Sequence, residues 1–245
     1  MNGQNLPHSD DPNSHYAQMG VIWLIAAAVA TVVLWQMPWG NYILYPFTIL
    51  ATWFHEMGHG LSAIALGGNF KKLLIFSNGS GLAYHDGPLF LGPVGRALVA
   101  TGGPLGPAIA GAGLILSSRR FQTAHYSLMF LSSLLLISAL LWVRSLFGLL
   151  AIPLWGLLIL TIALKTKRSV QGATIQFLGV QAIVSTYHQL DYLFTRETVI
   201  NGQHRLSDTS QIAQQLLLPY WFWASLITVV TLLLLLQSLR LAYRN

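Results

Sequence analysis

The sequence predicts an all-α polytopic membrane protein of about seven transmembrane helices with one short membrane-associated β-hairpin. Three observations carry this. Hydrophobic residues make up 54% of the chain and charged residues only 8%, where soluble domains carry about 25% charged. The apolar residues fall in runs close to the ~20 residues that a bilayer core demands of a helix. The Lys and Arg sit in short clusters between those runs, where they act as topology signals and interfacial anchors. The net charge of +6 therefore points to no nucleic-acid partner.

Residues 1–19 are polar, contain Asp10 and Asp11 and lack Lys and Arg, the wrong start for a secretory signal peptide. They are expected as a polar N-terminal tail ahead of a single transmembrane domain over 20–245. Spans are expected near 20–37, 41–66, 94–117, 124–143, 145–164, 170–194 and 219–239. The breaks are polar or turn-forming: QMPWGN, SSRRFQ, KTKRS and the longer TRETVINGQHRLSDTSQ, with Arg144 alone between the fourth and fifth runs. Basic residues divide seven against six across these spans, too evenly for the positive-inside rule to orient the chain.

Two stretches do not read as simple spans. FKKLLIFSNGSGLAYHDG, residues 70–87, has a β-rich run, a turn cluster from Ser77 to Gly81 and a second short run, which is a hairpin signal. Gly-Pro recurs at 87, 92, 103 and 106, which weakens a regular helix. At membrane depth such a segment needs close cover from neighbouring protein. With no cysteine in the chain, disulfides and thiolate metal ligands are both excluded, and a transition metal must sit on His, Asp and Glu.

The chemistry is concentrated in ATWFHEMGHGLSAIALGG, residues 51–68. His55 and His59 are four apart, so on a helix their imidazoles share one face, with Glu56 beside the first. This is HExxH: two neutral imidazoles hold a zinc ion, and the carboxylate takes a proton from the water that the metal activates. A carboxylate deep in a bilayer costs at least about 2.5–3.5 kcal/mol, which argues for function over chance. A catalytic zinc site needs a third protein ligand. Asp86, Asp191, Glu197 and Asp208 are the acids to choose from, with His85, His125, His188 and His204 as nitrogen alternatives.

Asp191, in STYHQLDYLF at the end of the sixth run, is favoured. With 1.5 Å rise per residue from the same membrane side, His59 lies about 27 Å and Asp191 about 28 Å along their helices. His188 reads as a neighbour of the site and not as a fourth ligand. Asp208, in SDTSQIAQQLL, reads first as a helix N-cap and remains the second choice. Glu197, in the loop segment TRETVI, is weaker than either.

HEMGH at 55–59, LGGNFKKLLIFSNGSGLAY, ALVATGGPLGPAIAGAGL, and LDYLF followed by SDTSQIA resemble the site-2 protease family of intramembrane zinc metalloproteases (metallopeptidase family 50), within it a B-like branch of compact bacterial and plant-type membrane proteins. The likeness runs from about Phe47 to Pro219. It implies zinc as cofactor, with His55, His59 and Asp191 as metal ligands and Glu56 as catalytic base. It also implies hydrolysis of peptide bonds in membrane-embedded or membrane-proximal protein substrates, with the lipid bilayer, in a bacterial cell membrane, as surroundings. Many members also carry a soluble regulatory domain, which no segment of this chain is long enough to form. The main family sets its aspartate in an Asn-x-x-Pro-x-Pro-x-Leu-Asp-Gly run. That run is missing here, which leaves the third ligand open between Asp191 and Asp208.

Two other classes compete: a transporter using intramembrane His and Asp for ions, and a catalytically silent relative that binds membrane proteins. The first would be supported by broken helices in two corresponding halves, and no internal repeat is present. The intact HExxH weighs against the second. The stretch 70–85 is expected to act as an exposed strand edge that holds an unwound substrate, or as an interfacial hairpin anchored by Lys71 and Lys72.

Overall fold

The computed structural model describes residues 12–243, with side chains over 24–187 and 189–242. The first eleven residues of the expected tail thus lie outside the described residues, as does the His188 side chain. In chain order the elements are α1 (Pro12–Trp35), α2 (Gly40–Ala65), β1 (Asn69–Ile75), β2 (Gly81–Asp86), α3 (Pro93–Ser117), α4 (Phe121–Leu141), α5 (Leu146–Lys165), α6 (Arg168–His188), α7 (Leu190–Leu193), β3 (Glu197–Ile200), β4 (Gln203–Leu206), α8 (Asp208–Gln215) and α9 (Tyr220–Tyr243).

Seven long helices stand where the seven runs were read, yet the seven spans are not confirmed. Among the described residues four helices are long and apolar enough to cross a membrane: α3, α4, α5 and α9. The number rises to five if α1 and α2, bent by 118° at their break, count as one. For α2 and α6 the difference has a physical cause. α2 carries Thr52, His55, Glu56 and His59, and α6 carries Gln171, Gln181, Ser185 and Thr186; nearly all of these are buried against other helices. Their polarity faces protein, so composition alone does not mark them as lipid-facing.

α2 lies at the centre of the molecule. It packs most extensively on α3, which runs antiparallel to it. The two backbones come so close that a Cβ on Gly58 would strike the Gly102 carbonyl, and one on Gly106 the Phe54 carbonyl. This is the small-residue packing that membrane helices use. Pro104 and Pro107 sit inside α3, which stays one continuous helix despite the Gly-Pro repeats. On the other side of α2, Trp53, fully buried, donates its indole N–H to Ser138 Oγ of α4 at 2.9 Å. Around it Ile49, Leu73, Leu128, Leu135, Ile152 and Ile175 form the main core.

The expected hairpin is present as an antiparallel β1–β2 pair, Leu73 opposite Ala83, turning through Gly79 at φ 88°. It folds back along α2: Thr52 Oγ1 donates to the Gly79 carbonyl and Tyr45 Oη to the Ser77 carbonyl, both at 2.6 Å. The outer edge of β1 is taken, since Leu73 exchanges backbone bonds with Trp142 and Arg144. Among the described residues no strand pairs with the outer edge of β2.

A second hairpin, β3–β4, was not expected in the polar break 195–211. It turns through Asn201 and Gly202, at φ 49° and 76°. Asn-Gly with both residues at positive φ is the favoured two-residue hairpin turn, so the signal was in the sequence. This hairpin returns the chain to Ser207, which caps α8 by accepting the Ser210 N–H at 3.3 Å.

Candidate metal centre

α2 presents His55 and His59 one turn apart, with ring centroids 5.0 Å apart. His55 Nε2 and His59 Nε2 are separated by 3.2 Å. Asp208, the first residue of α8, reaches both: its Oδ2 is 2.9 Å from His55 Nε2 and its Oδ1 is 3.3 Å from His59 Nε2. His55 and Asp208 are 7% and 2% exposed, so these groups meet away from bulk water. Among the described residues this is the group of His and acidic side chains placed to hold a metal ion.

The donor set fits a metal. His59 Nδ1 lies 2.8 Å from the Val99 carbonyl of α3. A proton there leaves Nε2 with its lone pair on the cluster, the arrangement that orients a ligating imidazole. Tetrahedral zinc with bonds of about 2.0–2.1 Å sets its ligand atoms about 3.3 Å apart. The 3.2 Å between the two Nε2 atoms lies close to that value, and a single Asp208 oxygen lies within 4.8 Å of both nitrogens. α3 also leaves room: a Cβ on Gly103 would run into Nε2 of both histidines. Two imidazoles and a carboxylate are a donor set suited to zinc and to other borderline divalent ions.

Glu56 is 7% exposed, and its Oε2 accepts the Ala83 N–H of β2 at 2.7 Å. Ala83 faces Leu73, whose own N–H and carbonyl are engaged with the 142–144 segment. The Ala83 N–H therefore points out of the sheet at the open edge of β2, where Glu56 meets it. A Cβ on Gly81 would strike Glu56 Cγ, so the hairpin packs directly over this carboxylate.

The third position departs from the favoured reading. Asp191 is exposed and lies outside the cluster; Asp208 lies inside it. The depth argument for Asp191 required one helix running through to 194. α6 instead ends at His188, and after the turn at Gln189 a separate four-residue helix carries Asp191 to the surface. The N-cap expected of Asp208 falls to Ser207, one residue earlier, which frees the Asp208 carboxylate for the histidines. Burial pushes the Asp208 carboxyl up. When the imidazoles are protonated at Nε2, the His59 charge and the hydrogen bonds from both histidines outweigh this and hold it well below the usual carboxylate range; with the His59 proton on Nδ1 alone, the Nε2 lone pair is free for a metal.

The other candidates are elsewhere. His85 and Asp86 are on the exposed end of β2, Asp86 against Lys71 at 3.4 Å. His125 Nδ1 lies 3.2 Å from Gln171 Oε1, and His204 3.9 Å from Glu197 on the exposed β3–β4 hairpin. Val99, Ala83 and Tyr192 contribute contacts that residue type alone does not flag, the first two through backbone atoms.

A family model described as Peptidase M50B-like matches residues 24–238. No curated protein and no solved structure matches the chain. With its long apolar helices, the match makes this an integral membrane protein.

Proposed function

The chain belongs to the Peptidase M50B-like family, and on that premise we propose that it is an intramembrane zinc metalloendopeptidase. Its substrates are membrane-embedded or membrane-proximal proteins, and we place it in a bacterial cell membrane. His55, His59 and Asp208 would hold the ion, in place of the set with Asp191, and Glu56 is the general base. The observation that carries this reading is the convergence of two imidazoles and a buried carboxylate beside a second buried carboxylate.

When bound, zinc supplies Lewis-acid polarisation and makes a water nucleophilic near neutral pH. The residues of the chain do the rest. Glu56, held through Oε2 by the Ala83 N–H, takes a proton from the attacking water and passes it to the departing amine nitrogen. The Val99 carbonyl keeps His59 in one tautomer and orientation. The packed hairpin limits water around Glu56 and presents the outer edge of β2, where the Ala83 N–H is given to Glu56 and the other main-chain groups of that edge are the ones onto which an unwound substrate segment adds as a strand.

The test uses full-length protein in proteoliposomes with a labelled transmembrane peptide. Glu56→Gln is expected to lower cleavage by about 10²–10⁴-fold and to retain the metal. Wild-type cleavage that survives in Glu56→Gln would overturn the assignment.

A further inference from the structure

Tyr192 joins the two halves of the metal centre. Its hydroxyl oxygen accepts the Asp208 backbone N–H at 3.2 Å, and its ring lies edge-on to His55 with centroids 6.1 Å apart. One side chain thus touches a residue of α8 and a residue of α2 that face the same point.

The surrounding bonds explain why this contact matters. Asp208 is the first residue of α8, so its N–H is among the helix-start donors without an intrahelical acceptor. The backbone on either side is stapled to the segment after α6. Ser207 donates its N–H to the Arg196 carbonyl at 3.0 Å and its Oγ to the Thr195 carbonyl at 2.6 Å. Thr209 Oγ1 donates to the Leu193 carbonyl, also at 2.6 Å. These fix where α8 begins but leave the peptide of Asp208 itself to Tyr192. Within this clamp Tyr192 is the side chain that also rests on a histidine of the centre.

We propose that Tyr192 is a positioning residue for the metal ligands: through the Asp208 N–H and the His55 ring it fixes the approach of Asp208 to the two imidazoles, and so sets how tightly the ion is held. This rests on the metal-site reading above. Removing a partner that orients a ligand typically costs 10–100-fold in metal affinity.

The experiment is chelator competition for zinc on detergent-purified full-length wild type and Tyr192→Phe, with the visible spectrum of the cobalt(II)-loaded forms and thermal melting of the metal-free forms. The Phe variant is expected to bind zinc about 10–100-fold more weakly and to shift the cobalt bands; the buried Asp208 N–H left without its acceptor also lowers the metal-free melting temperature, so affinities are compared well below both melting transitions. If Tyr192→Phe does not fold, 3-fluorotyrosine at 192 keeps the shape, weakens the acceptor oxygen and is expected to shift affinity in the same direction. Equal zinc affinity and identical cobalt spectra in wild type and variant would overturn the proposal while leaving the metal site intact. Wild type that holds no metal would overturn both.

Discussion

α2 and α5 are neighbours of similar length with opposite logic. α5 turns Leu146, Leu150 and Leu154 outward, 87, 75 and 68% exposed, and buries little beyond Gly148, Ile152, Gly156, Ile159 and Ala163. α2 buries an unbroken run from Ile49 to Met57, and His55 and Glu56 lie within it. For α5 lipid is the solvent, and an apolar surface suffices. For α2 the surroundings are protein, which can supply the Asp208 carboxylate, the Val99 carbonyl and the Ala83 N–H that its polar groups require. The more polar helix is the more buried one, the reverse of the order in a soluble domain.

Substitutions that add or remove an atom on each side sharpen this contrast. The largest effect is expected at Gly103, whose missing Cβ leaves the space beside both imidazoles. Gly103→Ala is expected to lose bound metal and with it at least about 100-fold in cleavage. Gly113→Ala on the same helix, where a Cβ meets nothing within 4 Å, is expected to keep both. Elemental analysis and the peptide assay read this pair, and equal metal in the two would break the contrast.

A smaller effect separates the packed side of α2 from the lipid side of α5. Ser138→Ala leaves the buried Trp53 indole N–H without its acceptor and is expected to cost about 1–2 kcal/mol. Leu150→Ala removes a side chain that is 75% exposed and is expected to stay within about 0.5 kcal/mol. Unfolding in a denaturing detergent, followed by tryptophan fluorescence, compares them; a larger loss at Leu150 would contradict the assignment of sides.

The legible parts of this molecule were those written in local pattern. Helical spacing put His55 and His59 on one face with Glu56 beside them, and the turn cluster Ser77 to Gly81 marked the first hairpin. What was not legible depended on where the chain goes after α6. The apolar run through Tyr192 and Leu193 looked like one helix, because Leu193 is indeed buried, but in a separate small core with Ala97, Ala100, Ile212, Ala224 and Ile227. The break at Gln189 has no Gly or Pro to announce it. It moved Asp191 to the surface, and the Asn201–Gly202 hairpin, read as part of a loop, carried Asp208 inward. α2 and α6 were legible as helical runs but not as confirmed spans, because their polar residues face neighbouring helices that their own sequences do not specify.

The most direct measurement is the zinc content of detergent-purified wild type beside Asp208→Ala and Asp191→Ala. About one zinc per chain in wild type and in Asp191→Ala, with loss in Asp208→Ala, is the predicted result. Zinc retained in Asp208→Ala and lost in Asp191→Ala, or no zinc in folded wild type, would contradict it.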